Sequence, residues 1–224
     1  MGTQAVLTRS TDRSLSQEKI YVVDDDPLVL SAIKDALIYR GYKPAVFSSG
    51  ADLLASIDPN ESGCVVTDLK MPGVDGVSIQ RALIEQDSSL SLIVLTGHAD
   101  VPVTVELMMN GAITLIEKPF KVEHLSDEVG RALEVSSQRH AEKLRLKNAR
   151  EAIAKLTGEE IAVMDCAVQG KSNKVTGSEL SLSSRTVDRR RQSALQKIDA
   201  GSISQYAVIR SLTRDDSVPE GDSR

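Results

Sequence analysis

Cys64-Val65-Val66-Thr67-Asp68-Leu69-Lys70-Met71-Pro72-Gly73-Val74-Asp75-Gly76 is the stretch that decides the fold. Its apolar start, Cys64 to Val66, reads as a buried strand, and the strand ends in Thr67-Asp68. Met71-Pro72-Gly73 and Asp75-Gly76 then impose a loop. Asp68 therefore stands at the carboxyl end of a strand, where open α/β sheets carry their chemistry. A lone Asp in such a place is more often a turn residue or a helix cap, so its neighbours must decide.

Three other strand ends supply them. Ile20 to Val23 runs into Asp24-Asp25-Asp26-Pro27. Three like charges held near a fourth carboxylate are costly without a cation. Oxygen donors alone suit Mg²⁺, which takes one or two carboxylates and keeps several waters. Leu92-Ile93-Val94-Leu95 ends in the hydroxyl of Thr96, and Ile113 to Ile116 leads to the ammonium of Lys118 before Pro119-Phe120. Such a set can hold a metal and a phosphoryl group, with carboxylates on Mg²⁺, Asp68 as nucleophile, and Thr96 and Lys118 on phosphoryl oxygens.

At Asp24-Asp25, Asp68-Leu69-Lys70-Met71-Pro72-Gly73-Val74-Asp75-Gly76, Thr96 and Lys118-Pro119-Phe120, the chain resembles the receiver domain of two-component response regulators. The resemblance covers about residues 18–138. It implies that a sensor histidine kinase phosphorylates Asp68. It also implies that Asp25, Asp68 and the Lys70 backbone carbonyl hold Mg²⁺, with Asp24 acting through water. Asp26, beside Pro27, reads instead as a helix cap. Leu115 stands three residues before Lys118, where the family carries a Tyr or Phe that switches rotamer with the hydroxyl.

The elements between these strand ends complete a pattern of five βα units in about 120 residues, which predicts a doubly wound five-stranded parallel sheet of the flavodoxin type. Helices are expected from Pro27 to near Gly41, over Ala51–Ile57, Val77–Glu85, Val101–Asn110 and Val122–Ser136. The whole chain then divides into a disordered lead (1–17), a receiver domain (18–136), a helical linker (137–150), an all-α helix-turn-helix domain (151–212) and an acidic disordered tail (213–224).

With 224 residues the chain is long enough for two small domains. Its net charge of −5 hides an asymmetry: residues 18–138 hold 9 Lys/Arg against 19 Asp/Glu, and residues 139–214 hold 15 against 8. An acidic half facing a cation and a basic half facing a polyanion is the simplest account. No run is apolar enough for a membrane span, and the first residues show no signal pattern, so the expectation is a cytoplasmic protein without a membrane partner. Cys64 and Cys166 fall in different domains and apolar surroundings, and read as small buried hydrophobes.

In the basic half, Thr157-Gly158-Glu159-Glu160 is a capping box. A short helix over Asn173–Leu180, a turn at Ser181-Leu182-Ser183 and an Arg-rich helix to about Ile198 read as a helix-turn-helix. At 100° per residue, Val187, Ala194 and Ile198 share the buried face. Arg185, Arg189, Gln192 and Gln196 share the opposite one, offering guanidiniums and amides suited to guanine and adenine edges. Arg190 and Arg191 lie nearer the buried face, placed for phosphates or interhelix contacts.

Leu156-Thr157, Gly170-Lys171-Ser172-Asn173-Lys174, Leu180, Leu182-Ser183 and Arg185-Thr186-Val187-Asp188 resemble the LuxR/FixJ-type DNA-binding domain. The resemblance extends the DNA-binding set to Lys171, Asn173, Lys174, Thr186, Asp188 and Arg190. Thr176 stands where that family is apolar, Arg190 where it has His, and Gly177 replaces the usual Ala at a helix-propensity cost of about 1 kcal/mol. Both halves together imply a NarL/FixJ-type response regulator: a transcriptional regulator that binds double-stranded DNA and dimerises when phosphorylated, and not an enzyme beyond slow self-dephosphorylation. The alternative is a receiver whose basic domain binds protein or RNA, separable by the salt dependence of DNA binding. A metal-dependent phosphatase is the third reading, tested by turnover of a small phosphate ester.

Overall fold

The computed structural model describes residues 19–97 and 101–214. The lead, and the tail beyond Arg214, lie outside the described residues. Thr213 and Arg214, expected in the tail, close the last helix instead.

Five strands, β1 (Lys19–Val23), β2 (Pro44–Phe47), β3 (Gly63–Asp68), β4 (Ser91–Thr96) and β5 (Thr114–Glu117), form one parallel sheet in the order β2-β1-β3-β4-β5. The chain reverses its direction of winding between β1 and β3, which opens a crevice at their carboxyl ends. Alternation along each strand separates two cores. Tyr21, Val23, Val65 and Val94 pack with Leu53, Ile79 and Leu107 from α2 (Gly50–Ser56), α3 (Gly76–Glu85) and α4 (Val101–Met109). Val22, Val66, Ile93 and Ile116 pack on the other face with Ile33 and Leu37 of α1 (Pro27–Tyr39) and Leu125 and Val129 of α5 (Val122–Ala154). Burial on both faces is why β1, β3 and β4 read as continuous apolar runs.

The fifth helix does not stop at Ser136. It continues to Ala154, through the whole stretch expected as a separate linker, because residues 137–150 contain no Gly or Pro. Ser136 is fully buried in it, accepting from Gly63 N–H (2.7 Å) and donating to the Ser89 carbonyl (2.7 Å). The chain divides into two compact units between His140 and Ala141.

The second unit is helical: the end of α5, α6 (Gly158–Val168), α7 (Asn173–Leu180), α8 (Ser184–Lys197) and α9 (Ile203–Arg214). Leu156, Met164, Ala194, Ile198 and Tyr206 form its core. Asp165 ties α6 to α9, accepting from Tyr206 Oη (2.9 Å), Arg210 and Arg214. Both cysteines are buried and free.

Gly177 proves to be a packing residue as well as a weak helix former. A Cβ there would lie 2.5 Å from the Leu182 carbonyl oxygen, because the turn between α7 and α8 closes against it through Leu182 N–H on the Gly177 carbonyl (2.8 Å). Gly177→Ala is expected to destabilise the second unit by about 1–3 kcal/mol from overpacking, exceeding its propensity gain of about 1 kcal/mol. Chemical denaturation of the full chain measures it, and a rise in stability would show that the turn relaxes freely. No helix among the described residues is long and apolar enough to cross a membrane.

Candidate functional site

The crevice gathers the carboxyl ends of β1, β3, β4 and β5. Asp24 follows β1 directly and is 2% exposed. Its Oδ1 accepts from Asp26 N–H (2.9 Å) and its Oδ2 from Lys118 Nζ (2.8 Å). Asp68 ends β3, 8% exposed; its Oδ2 accepts from Lys70 N–H (2.7 Å) and its Oδ1 from Lys118 Nζ (2.5 Å). One ammonium thus spans two buried carboxylates. Burial alone would lower the Lys118 pKa, but the bonds to Asp24 and Asp68 outweigh it and hold the group above its ordinary value.

The local sequence explains each placement. Asp26 caps α1, accepting from Leu28 N–H (2.8 Å), which leaves Asp25 exposed at the crevice rim. Asp75 caps α3, accepting from Ser78 N–H (2.8 Å), and the backbone of Gly76 lies so close to the Asp68 carbonyl that a Cβ would come within 2.8 Å of it. Thr96 ends β4, 2% exposed, and its carbonyl accepts from Lys118 N–H (2.7 Å), which ties the lysine to the threonine strand. The Lys118–Pro119 peptide is cis. Leu115 is partly buried and packs on the core face shared with α2, α3 and α4.

These donors suit a hard cation. Among the described residues no three carboxylate, His or Cys side chains enclose a metal. Two buried carboxylates drawn around one positive charge, with an exposed third beside them, match an ion that takes one or two carboxylates and completes its shell with water.

In the second unit, Ser183 caps α8, accepting from Thr186 N–H (3.1 Å), and the two hydroxyls lie 2.8 Å apart. Ser181 turns the chain with φ 55°. Arg185, Asp188, Arg189, Gln192 and Gln196 are all exposed on one face, while Val187 and Ala194 are fully buried on the other. Arg190 does not belong to the open face: it pairs with Glu159 of α6 at 2.5 Å, as its wheel position near the buried side allows. Arg191 likewise donates to Asn173 Oδ1 (2.5 Å), binding α8 to α7 and occupying an acceptor of Asn173. Lys171 pairs with Glu179 (2.6 Å), and Lys174 is exposed.

One group was not singled out in the sequence for its tertiary role. Glu160, 6% exposed, completes the capping box and also accepts from Lys197 Nζ (2.8 Å) and Ser193 Oγ (2.9 Å) of α8. Its capping-box spacing was legible; its partners in α8, 33 and 37 positions further along the chain, were not. Burial alone would raise its pKa, but these bonds outweigh it and push the group down to about 2. A depressed carboxyl stabilises the fold above its ordinary value of 4.5, and that contribution fades as pH falls toward about 2. The melting-temperature difference between wild type and Glu160→Gln is therefore expected to shrink as pH falls through this window. A difference that stays constant would mean that the carboxylate charge is immaterial.

Comparison with known proteins matches residues 20–130 to the response regulator receiver domain and residues 154–210 to bacterial regulatory proteins of the luxR family. The transcriptional regulatory protein FixJ of Azorhizobium caulinodans is 33% identical over 208 residues, 89% of this chain and 97% of that protein. FixJ of Bradyrhizobium diazoefficiens is 31% identical over 190 residues, 85% and 93% of the two chains. Among solved structures, the response regulator StyR aligns with a TM-score of 0.81 at 28% identity, covering 87% of this chain and 98% of that one.

Proposed function

This chain belongs to the NarL/FixJ-type response regulators, phosphorylation-dependent transcriptional regulators that join a receiver to a LuxR-type DNA-binding domain, and from that membership we propose that Asp68 is its phosphoacceptor. The observation that carries this reading is the Lys118 ammonium bonded to Asp68 Oδ1 at the sheet's carboxyl edge.

A sensor histidine kinase presents its phosphohistidine to the crevice. An Asp68 carboxylate oxygen bonds to phosphorus as the phosphorus–nitrogen bond breaks; the bonding pair stays on an imidazole that already carries a proton on its other nitrogen, leaving an acyl phosphate on Asp68 and a neutral imidazole on the kinase. Lys118 balances the charge of the incoming phosphoryl oxygens, and the Thr96 hydroxyl donates to one of them. Asp25, Asp68 and the Lys70 carbonyl would hold Mg²⁺, with Asp24 reaching it through water. The ion supplies positive charge against the phosphoryl oxygens.

The output is read by α8. Arg185, Arg189, Gln192 and Gln196 face base edges, and Lys171 and Lys174 face phosphates. Thr186, Asn173 and Arg190 position the helices rather than touch bases, given their bonds within the domain. The phosphorylated protein dimerises, works in the cytoplasm and turns over no substrate beyond losing its own phosphoryl group.

Intact mass after incubation with acetyl phosphate tests the site. Wild type is expected to gain one phosphoryl group only with Mg²⁺. Asp25→Ala is expected to lose most of its labelling at low Mg²⁺, whereas Asp26→Ala labels normally. Labelling that is indifferent to Mg²⁺ would overturn the cation's place in the crevice.

Leu115 predicts a weak switch. A leucine packed on the core has no ring to exchange between two positions, so it contributes little differential free energy between states. Phosphorylation is expected to shift DNA affinity by about 1–2 kcal/mol, at the low end of allosteric couplings. Leu115→Phe is expected to enlarge that shift, read as duplex affinity with and without acetyl phosphate. An equal or smaller shift would route the signal elsewhere, for instance through α4.

A further inference from the structure

Asp188 is the sole acidic residue of α8, and it stands on the face that α8 turns toward DNA in the proposed function; its role rests on that function. An exposed carboxylate is out of place against a phosphate backbone, so its position calls for a reason. Taking Arg185 as zero on the helical wheel, Asp188 falls at about −60°, Gln192 at about −20°, Gln196 at about +20° and Arg189 at about +40°. Gln192 is thus near the middle of the stripe, with Asp188 at its edge one turn earlier.

Gln192 Nε2 donates to Asp188 Oδ2 at 3.2 Å. An ionised carboxylate only accepts, so it is the amide nitrogen that must stand on the Asp188 side. That fixes which way round the amide lies. It leaves Oε1 and the second Nε2 hydrogen for the groove, one acceptor beside one donor. Adenine presents the complement in the major groove: the N6 amino donor beside the N7 acceptor. Guanine offers two acceptors there, cytosine an amino donor, and thymine an acceptor and a methyl group. An untethered glutamine can turn its amide over and meet several of these; a tethered one cannot.

We propose that Asp188 is a positioning residue that holds the Gln192 amide in one orientation and so makes it an adenine reader. Arg185 and Arg189 make no ion pair with Asp188 among the described residues, although they stand at i−3 and i+1. In the structure the carboxylate bonds the amide and pairs with neither arginine.

Selection of duplexes from a randomised pool by the full chain, phosphorylated with acetyl phosphate, tests this on wild type, Gln192→Ala, Asp188→Ala and Asp188→Glu. Wild type is expected to prefer adenine at one position of each half-site by roughly 5- to 150-fold, the range for one bidentate contact. Gln192→Ala should erase that preference. Asp188→Ala should weaken it at the same position and leave the others intact. Asp188→Glu, whose carboxylate likewise only accepts, should keep it.

A preference that changes at a different position in Asp188→Ala would mean that Asp188 reads a base itself, and would overturn the proposal. So would an even change of affinity across all sequences, which assigns Asp188 a purely electrostatic effect, or an Asp188→Glu variant that behaves like Asp188→Ala. A wild type that selects no sequence at all would overturn the DNA reading of α8 and the proposal with it.

Discussion

Asp68→Asn is expected to gain no phosphoryl group from acetyl phosphate and Mg²⁺, where wild type gains one by intact mass. The substitution is nearly isosteric. Its side-chain oxygen can still accept from Lys70 N–H, so the loop after β3 keeps its anchor. What disappears is the nucleophile: an amide nitrogen does not attack phosphorus, and the oxygen that Lys118 contacts no longer carries the charge. The neighbouring carboxylates offer no substitute of equal quality. Asp24 is buried under Lys118 and Asp26 N–H, and Asp26 is spent on the first turn of α1. Complete loss of labelling, in a variant that still folds, is the expected result. A variant that still gains the full mass would move the acceptor to another residue, with exposed Asp25 the first to examine.

Removing both open arginines of α8 is expected to produce the largest loss of DNA binding. Arg185 and Arg189 are exposed, one turn apart, and held on a helix whose opposite face is locked by Val187 and Ala194. A bidentate guanidinium contact is worth about 1–3 kcal/mol of discrimination, so Arg185→Ala/Arg189→Ala should weaken a specific duplex by about 2–6 kcal/mol if the two act independently. Base contacts and phosphate contacts separate by salt. Removing one phosphate contact flattens the log–log salt slope by about 0.9, whereas removing a base contact relaxes preference at one position and leaves the slope alone. Arg190→Ala serves as the contrast. Its partner Glu159 is largely exposed, so the pair contributes under about 1 kcal/mol, and DNA binding should change little. If Arg190→Ala instead matches the double variant, the pair with Glu159 opens when DNA arrives.

The sheet was legible because its central strands β1, β3 and β4 are buried on both faces and end in residues with distinctive chemistry. β1, β3, β4 and β5, the crevice carboxylates, Thr96 and Lys118 could be ordered from apolar runs and the residues that close them. The continuity of α5 was less legible. The stretch 137–150 reads as helical, but nothing in it shows that it continues the fifth helix without a break until Ala149 is seen buried and Ala152 and Ile153 packed on the second unit's core. Arg190 shows the limit of a helical wheel. Its angle placed it near the buried side, but only the fold brings Glu159 within 2.5 Å. Gly177 shows another: propensity reports the cost of a glycine in a helix, not the carbonyl of Leu182 that forbids a side chain there. The bonds of Glu160 and Asp165 join residues more than thirty positions apart, a separation over which no local pattern carries information.

If a phosphoryl group on Asp68 changes how tightly α8 holds DNA, one measurement shows it most directly. That is the affinity of the full chain for a duplex it protects in footprinting, with and without acetyl phosphate, at fixed Mg²⁺ and salt. Wild type is expected to bind roughly 5- to 30-fold tighter when phosphorylated, the equivalent of about 1–2 kcal/mol, and Asp68→Asn is expected to show no change. Equal affinity of fully phosphorylated and unphosphorylated wild type would contradict the coupling of Asp68 to α8.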